Sequence, residues 1–294
     1  MSLKKFRYII EIVFVKLGLC FFNSLSINKA SNLAGAIAMF IGKKISVNKL
    51  ATNNLAKAMP LLSDGERKII INSMWNNLGK IVGEYVHISK YSLNEIKKII
   101  VFSQQSKNNI SYLKETNRGG IIFSGHLGNW EVGPKALMTM GLKVNTLYRP
   151  LNNPYVEKIT ADLRKIPMIK KSLKGGRKII EAIKRGEFVI ILADQKISEG
   201  EPVKFFHDEA ITTTSIARMA VKYNIPIIPA RSIRLDNDSK IKFSIEVEEP
   251  LKYQISKNID EDVLNITLQI NKKLEEWIRQ FPDQWFWVHN RWKK

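Results

Sequence analysis

His126 and Glu131 stand five positions apart in Ser124-Gly125-His126-Leu127-Gly128-Asn129-Trp130-Glu131, directly after the apolar run Gly120 to Phe123. A histidine at the mouth of a strand can take a proton on one ring nitrogen when a carboxylate holds the other. The chemistry of such a pair is activation of a hydroxyl and transfer of a group to it. Gly125 and Gly128 allow a tight turn and close approach of a substrate. A lone His-x4-Glu also fits a surface histidine beside a helix-capping glutamate, so the pair needs support from other parts of the chain.

The elements around it supply that support. Residues 119 to 124 read as a short buried strand and Asn129 to Met140 as a helix, with Glu131 in its first turn. His126 then falls at the carboxyl end of a strand, where open α/β sheets keep their sites. Tyr148-Arg149-Pro150 ends a strand over 142–148, and Asp194-Gln195 ends another over 188–193. Thr212-Thr213-Thr214 precedes a helix carrying Arg218. Near the C-terminus, Trp285, Trp287, His289 and Arg291 share one face if Pro282 to Lys293 is extended. Helical periodicity appears over 64–88 behind a Ser63-Asp64 cap, and over 154–164, 175–185, 213–223 and 260–280, with further strands over 225–231 and 240–248. The alternation predicts an α/β fold with a mixed central sheet flanked by helices. Trp75 and Tyr85, at helical spacing, are expected in the core.

At 294 residues with 45% hydrophobic and 25% charged content, the chain can bury a substantial core. A net charge of +20 calls for an anionic partner or surface. Nucleic acid has only the charge behind it, because no zinc-finger spacing, RNA-binding signature, P-loop or GxGxxG is present. Part of the excess is ordinary solvated lysine. Cys20 excludes an internal disulfide or a cysteine-based zinc site, and its apolar surroundings predict packing rather than catalysis. The four histidines, His87, His126, His207 and His289, lie at no metal-ligand spacing, so neither metal nor cofactor is expected.

Lys4, Lys5 and Arg7 precede Tyr8 to Leu25, an apolar run interrupted by Glu11 and Lys16. The run is nearly long enough to span a bilayer, at a cost of roughly 2.5–3.5 kcal/mol for each charge near a helix centre. It lacks a convincing cleavage site and is expected to be retained. With the second apolar stretch Ser31 to Ile41 it forms an interfacial hairpin or a membrane anchor, the competing reading being two core helices of a soluble domain. This divides the chain into an N-terminal segment, 1–45, and an α/β part, 46–294.

The order of Gly-Asn-Trp-Glu, Tyr-Arg-Pro, Asp-Gln and Trp-x-Trp-x-His-x-Arg-Trp-Lys resembles the bacterial late acyltransferases of lipid A biosynthesis, within the lysophospholipid acyltransferase superfamily. The resemblance covers roughly residues 5 to 294. It implies transfer of a fatty acyl chain from acyl carrier protein to a hydroxyacyl hydroxyl of an anionic glycolipid, a Kdo-bearing lipid A precursor. It also implies an inner-membrane location with the catalytic part facing the cytoplasm. His126 and Glu131 are then the catalytic pair, Glu131 orienting the ring, and Arg149 binds an oxyanion or a phosphate. Asn129, Asp194, Gln195, Arg218 and Arg291 are expected to contact substrate, with holding a basic side chain the alternative for Asp194 and capping or salt bridging that for Arg218 and Arg291, and the Trp285 to Trp292 block to close the site. The basic surface around Lys170, Lys171, Lys174, Arg177 and Lys178 would meet headgroups and an acidic carrier protein. One departure is Phe205-Phe206-His207, where the family has two phenylalanines followed by glycine. The competing readings are an acyltransferase for a phospholipid or mannosylated inositol lipid, and a non-catalytic basic protein that binds membranes or nucleic acid.

Overall fold

The computed structural model describes residues 3–196, 200–235 and 240–292; Lys293, at the end of the C-terminal block, lies outside them. The chain opens with α1 (Leu3–Ser24), α2 (Ile27–Gly42), α3 (Val47–Ala58) and the long α4 (Asp64–Lys90). The elements α5 (Leu93–Ile99), β1 (Ile100–Val101) and α6 (Gln104–Glu115) lead into β2 (Gly120–Ser124). Helices and strands then alternate through α7 (Gly133–Thr139), β3 (Val144–Tyr148), α8 (Pro154–Arg164), β4 (Met168–Lys170), α9 (Leu173–Lys184) and β5 (Phe188–Leu192). A hairpin, β6 (Glu201–Phe205) and β7 (Asp208–Thr212), precedes α10 (Ser215–Tyr223), β8 (Ile227–Leu235), β9 (Lys242–Val247) and α11 (Ile259–Gln280).

The central sheet runs β1-β9-β8-β2-β5-β3-β4. Strands β8, β2, β5, β3 and β4 are parallel, whereas β9 pairs antiparallel with β8, so the sheet is mixed as expected. Its centre is covered on both sides. Ile121 and Phe123 of β2 and Val189 and Ile191 of β5 enter one core, while Ile122, Phe188 and Ile190 enter the other. That is why these strands read as uninterrupted apolar runs rather than alternating ones.

Three local expectations change. The helix expected from Asn129 begins at Gly133, because the Asn129 side-chain oxygen accepts the Glu131 N–H at 3.1 Å and holds a turn in place of the first helical bonds. Glu131 therefore precedes the helix. β1 and β4, of two and three residues, are too short to leave a period in the sequence. The β6–β7 hairpin was hidden by Pro202, which an edge strand tolerates. At its turn the left-handed residue is Phe206, φ 58°, one position before the family's glycine. Its N–H donates to Glu275 at 2.6 Å and its ring lies under Arg279, which hold the conformation against the cost of a bulky residue there.

At the N-terminus, no helix among the described residues is long and apolar enough to cross a membrane, so a spanning anchor is not supported. Charges at Lys4, Lys5, Arg7, Glu11 and Lys16 are spread over the first 14 residues of α1. This helix buries none of its side chains, and Phe6, Ile10, Val13, Phe14, Leu17 and Phe21 form an uncovered stripe at helical spacing. Cys20, expected to pack, is exposed on the same helix. Glu11 has a structural use: its carboxylate accepts from Asn153, whose amide also bonds the Tyr8 carbonyl and whose oxygen caps α8. By contrast α2 is tightly packed on α4, across the division at residue 45. A Cβ at Gly79 or Gly83 would overlap the carbonyl oxygens of Ala34 and Ala30, so both glycines are needed for this approach. The expected cap of α4 is present as a reciprocal Ser63–Glu66 capping box.

Candidate active site

The register of β2 against β5 pairs Ser124 with Leu192, so two residues beyond each strand His126 and Asp194 meet side by side. Asp194 Oδ1 is 2.8 Å from His126 Nδ1, and Oδ2 accepts the His126 backbone N–H at 2.7 Å and the Trp285 indole N–H at 2.8 Å. Burial alone would raise the Asp194 pKa. The His126 charge and the donated bonds from His126 and Trp285 outweigh it and hold the carboxyl at about 2. The other ring nitrogen, Nε2, faces the Gln195 amide nitrogen at 3.2 Å. The Trp130 ring sits edge-on to the imidazole at 4.9 Å, and Phe286 lies beyond at 6.0 Å.

The loop that carries His126 is fixed from several sides. Gly128 has φ 54°, and a Cβ on it would overlap the Ser232 carbonyl oxygen. Leu127 makes a bridge to Trp285, and Gly128 N–H donates to the Gln284 carbonyl at 3.2 Å. Behind the loop, Lys135 of α7 caps the end of α4 by donating to the carbonyls of Ile88, Ser89 and Tyr91. Gly128→Ala should therefore cost at least about 1–2 kcal/mol from the left-handed backbone alone, before the overlap is counted. The measurement is chemical denaturation; an unchanged midpoint would mean that the loop has another conformation.

Glu131 does not reach the histidine. It forms a two-pronged pair with Arg164, Nε to Oε2 at 3.0 Å and Nη2 to Oε1 at 2.8 Å, and the guanidinium also lies over the Tyr85 ring. The carboxylate on the imidazole is thus Asp194, which corrects the expectation that Glu131 orients the ring. The reason is the turn at 129–132, which leaves Glu131 outside the helix and beside α8. Asn129, expected to meet substrate, is fully buried and faces inward: its amide donates to Glu84 Oε2 at 2.8 Å. Glu84 is itself buried and paired at 2.7 and 2.9 Å with Arg234, while Ser31 donates to it at 2.5 Å. Arg234 also bonds Asn77, whose amide returns to the Gly128 carbonyl at 3.0 Å.

Sequence reasoning missed Arg164, Glu84 and Arg234. Glu84 had a signal, since it is a charge set among the apolar positions Ile81, Tyr85 and Ile88 of one helix. Arg149 is exposed at the end of β3, with no hydrogen bond or ion pair among the described residues. Arg218 is half-exposed, bonded to Thr214 and near Glu201 and Asp260, away from the histidine loop. Arg291, expected to meet substrate, is fully buried. It donates to the Ile211 carbonyl and the Thr212 hydroxyl and lies over Phe205, and burial pushes its pKa down to about 10. It braces the C-terminal block against β7. A groove of about 970 Å³ lies at the other end of the sheet, lined by Arg118, Pro226, Tyr253 and Lys272 among others, and includes no residue of the histidine loop. Among the described residues no group of three or more His, Cys, Asp or Glu is arranged to hold a metal ion.

An imidazole backed by a buried carboxylate, at the carboxyl end of a mixed α/β sheet, is the arrangement a general base requires. A sequence model described as the bacterial lipid A biosynthesis acyltransferase matches residues 1–294, and the chain belongs to that family. It is therefore an acyltransferase of lipid A biosynthesis, and the non-catalytic reading is set aside. The chain is 24% identical over 257 residues to the lipid A biosynthesis lauroyltransferase of Escherichia coli, covering 83% of this chain and 78% of that one. It is 25% identical over 269 residues to the palmitoleoyltransferase of the same organism, covering 88% and 82%. A lipid A biosynthesis acyltransferase 2 of Shigella flexneri is 22% identical over 242 residues, covering 81% and 75%.

Proposed function

We propose that the chain transfers a fatty acyl group from acyl carrier protein to the hydroxyl of a hydroxyacyl chain on a Kdo-bearing lipid A precursor, with His126 as the base. The observation that carries this reading is the imidazole held on one nitrogen by Asp194, with the other turned toward Gln195. The acceptor hydroxyl would replace the Gln195 amide at Nε2. His126 then takes the hydroxyl proton as the oxygen attacks the thioester carbonyl. The tetrahedral intermediate expels the carrier's thiolate, which takes the proton back from the imidazolium, leaving an ester and a free thiol. Asp194 stabilises the imidazolium throughout.

Base catalysis supplies about 10²- to 10⁴-fold, so oxyanion stabilisation must add a further share. Arg149 lies two strands from β2, about 10 Å across the sheet at the usual spacing. An extended arginine side chain spans that separation, so Arg149 would serve the oxyanion or an acceptor phosphate. Glu131 fixes Arg164 beside the loop. The carrier protein fits the cations Lys170, Lys171, Lys174, Arg177 and Lys178, which begin next to the Arg149 turn, where Lys171 N–H donates to the Tyr148 carbonyl. The α1 stripe supports a surface-lying contact with the cytoplasmic face of the inner membrane.

The test is transfer of labelled acyl groups from lauroyl- and myristoyl-carrier protein to tetraacyl precursor with and without Kdo, with acyl coenzyme A and a lysophospholipid as alternative donor and acceptor. Transfer dependent on carrier and Kdo is the expected result. Transfer only to the lysophospholipid would overturn the acceptor assignment.

A further inference from the structure

The turn after β5 is tied down at each of three consecutive residues. Asp194 holds His126 and is held by the Trp285 indole; Gln195 faces the other nitrogen of His126; and Lys196 donates its backbone N–H to Nε2 of His289 at 2.6 Å. A backbone N–H can only donate, so Nε2 of His289 must accept, which places its proton on Nδ1 and makes the ring neutral. The His289 backbone is anchored in turn. Its carbonyl and that of Trp287 both accept from the Asn54 amide of α3 at 2.8 Å.

We propose that His289 is a positioning residue for the base: its neutral ring fixes the turn at residues 194–196, and with it the placement of Asp194 and Gln195 on the two nitrogens of His126. The inference rests on His126 being the base. It gives the C-terminal block a function beyond packing, with Trp285 acting on Asp194 and His289 on Lys196, from either end of a five-residue stretch. Protonating His289 would set an N–H against the N–H of Lys196 and release the turn. Burial is the main influence lowering its pKa. Asp194 favours the charged ring, while His126, Arg291 and Lys196 disfavour it, so the net shift is downward. The clamp therefore stays closed to a lower pH than an ordinary histidine would allow.

The experiment compares His289→Ala and His289→Gln in the acyl-transfer assay, alongside ¹⁵N-histidine NMR of the wild type. Alanine should lower kcat by about 10- to 100-fold with both KM values within about twofold, as expected when the reacting groups are misplaced while substrate binding stays intact. Glutamine, whose amide oxygen can accept the same N–H without titrating, should recover to within about threefold of wild type. It should also remove one ionisation from the acid limb of kcat. NMR at neutral pH should show His289 as the Nδ1–H tautomer, a readout independent of activity that holds even if the alanine variant does not fold. Equal losses in both variants, a change in KM alone, or an Nε2-protonated ring would overturn the proposal. Retained activity in His126→Ala would instead defeat the base assignment and leave the NMR result standing.

Discussion

Replacing His126 by alanine should lower kcat by at least about 10²-fold, because the proton then has no positioned acceptor. Asp194→Asn should fall by a comparable factor, since an amide neither stabilises the imidazolium nor enforces one tautomer. The double variant should be no worse than the poorer single one, because the two groups act as a unit. Proton NMR separates the two carboxylates. The low-field signal of a hydrogen-bonded His126 Nδ1–H should persist in Glu131→Gln and vanish in Asp194→Asn. Loss of that signal in Glu131→Gln instead would return Glu131 to the ring. The expectation follows from the 2.8 Å contact of Asp194 with Nδ1 and the engagement of both Glu131 oxygens by Arg164.

The second large effect falls on stability. Glu84→Ala should cost about 3–5 kcal/mol, because it leaves the Arg234 guanidinium buried without its counter-charge. Ser31 and the Asn129 amide lose an acceptor at the same time. Urea or guanidinium denaturation measures this directly; a loss below about 1 kcal/mol would mean that water reaches the pair. The damage should extend to activity, since Asn129 shapes the turn after the histidine and Asn77 links Arg234 to Gly128. Replacing Glu84 and Arg234 together by apolar residues should be milder than either single change, because no charge is then stranded, the remaining cost being the partners lost by Ser31, Asn77 and Asn129.

The positions of His126 and Asp194 at strand ends were legible, because buried parallel strands leave runs such as Gly120 to Ser124 and Phe188 to Leu192. Their contact was not. It depends on β2 and β5 being neighbours, although β3 and β4 come between them in sequence, and strand order leaves no mark on either run. Glu131 looked the better partner because it is close along the chain. A single Asn129 side-chain bond, invisible to periodicity, delayed the helix and turned Glu131 toward Arg164. Arg291 misled in another way. An arginine in an aromatic block looks like a ligand for phosphate, yet its partners are a carbonyl and a hydroxyl of β7, a hairpin strand that Pro202 on β6 had concealed, and the Asn271 side-chain oxygen of α11.

Asn153 bonds Tyr8 and Glu11 of α1 while capping α8, the helix that leaves the Arg149 turn. The uncovered stripe of α1 is thereby joined through one side chain to the helix whose last residue, Arg164, pairs with Glu131 after the histidine loop. Under the surface contact proposed for that stripe, Asn153 is the joint between the surface-facing helix and the helix beside the histidine loop. Asn153→Ala should therefore loosen α1 from α8 while leaving the contact between His126 and Asp194 in place.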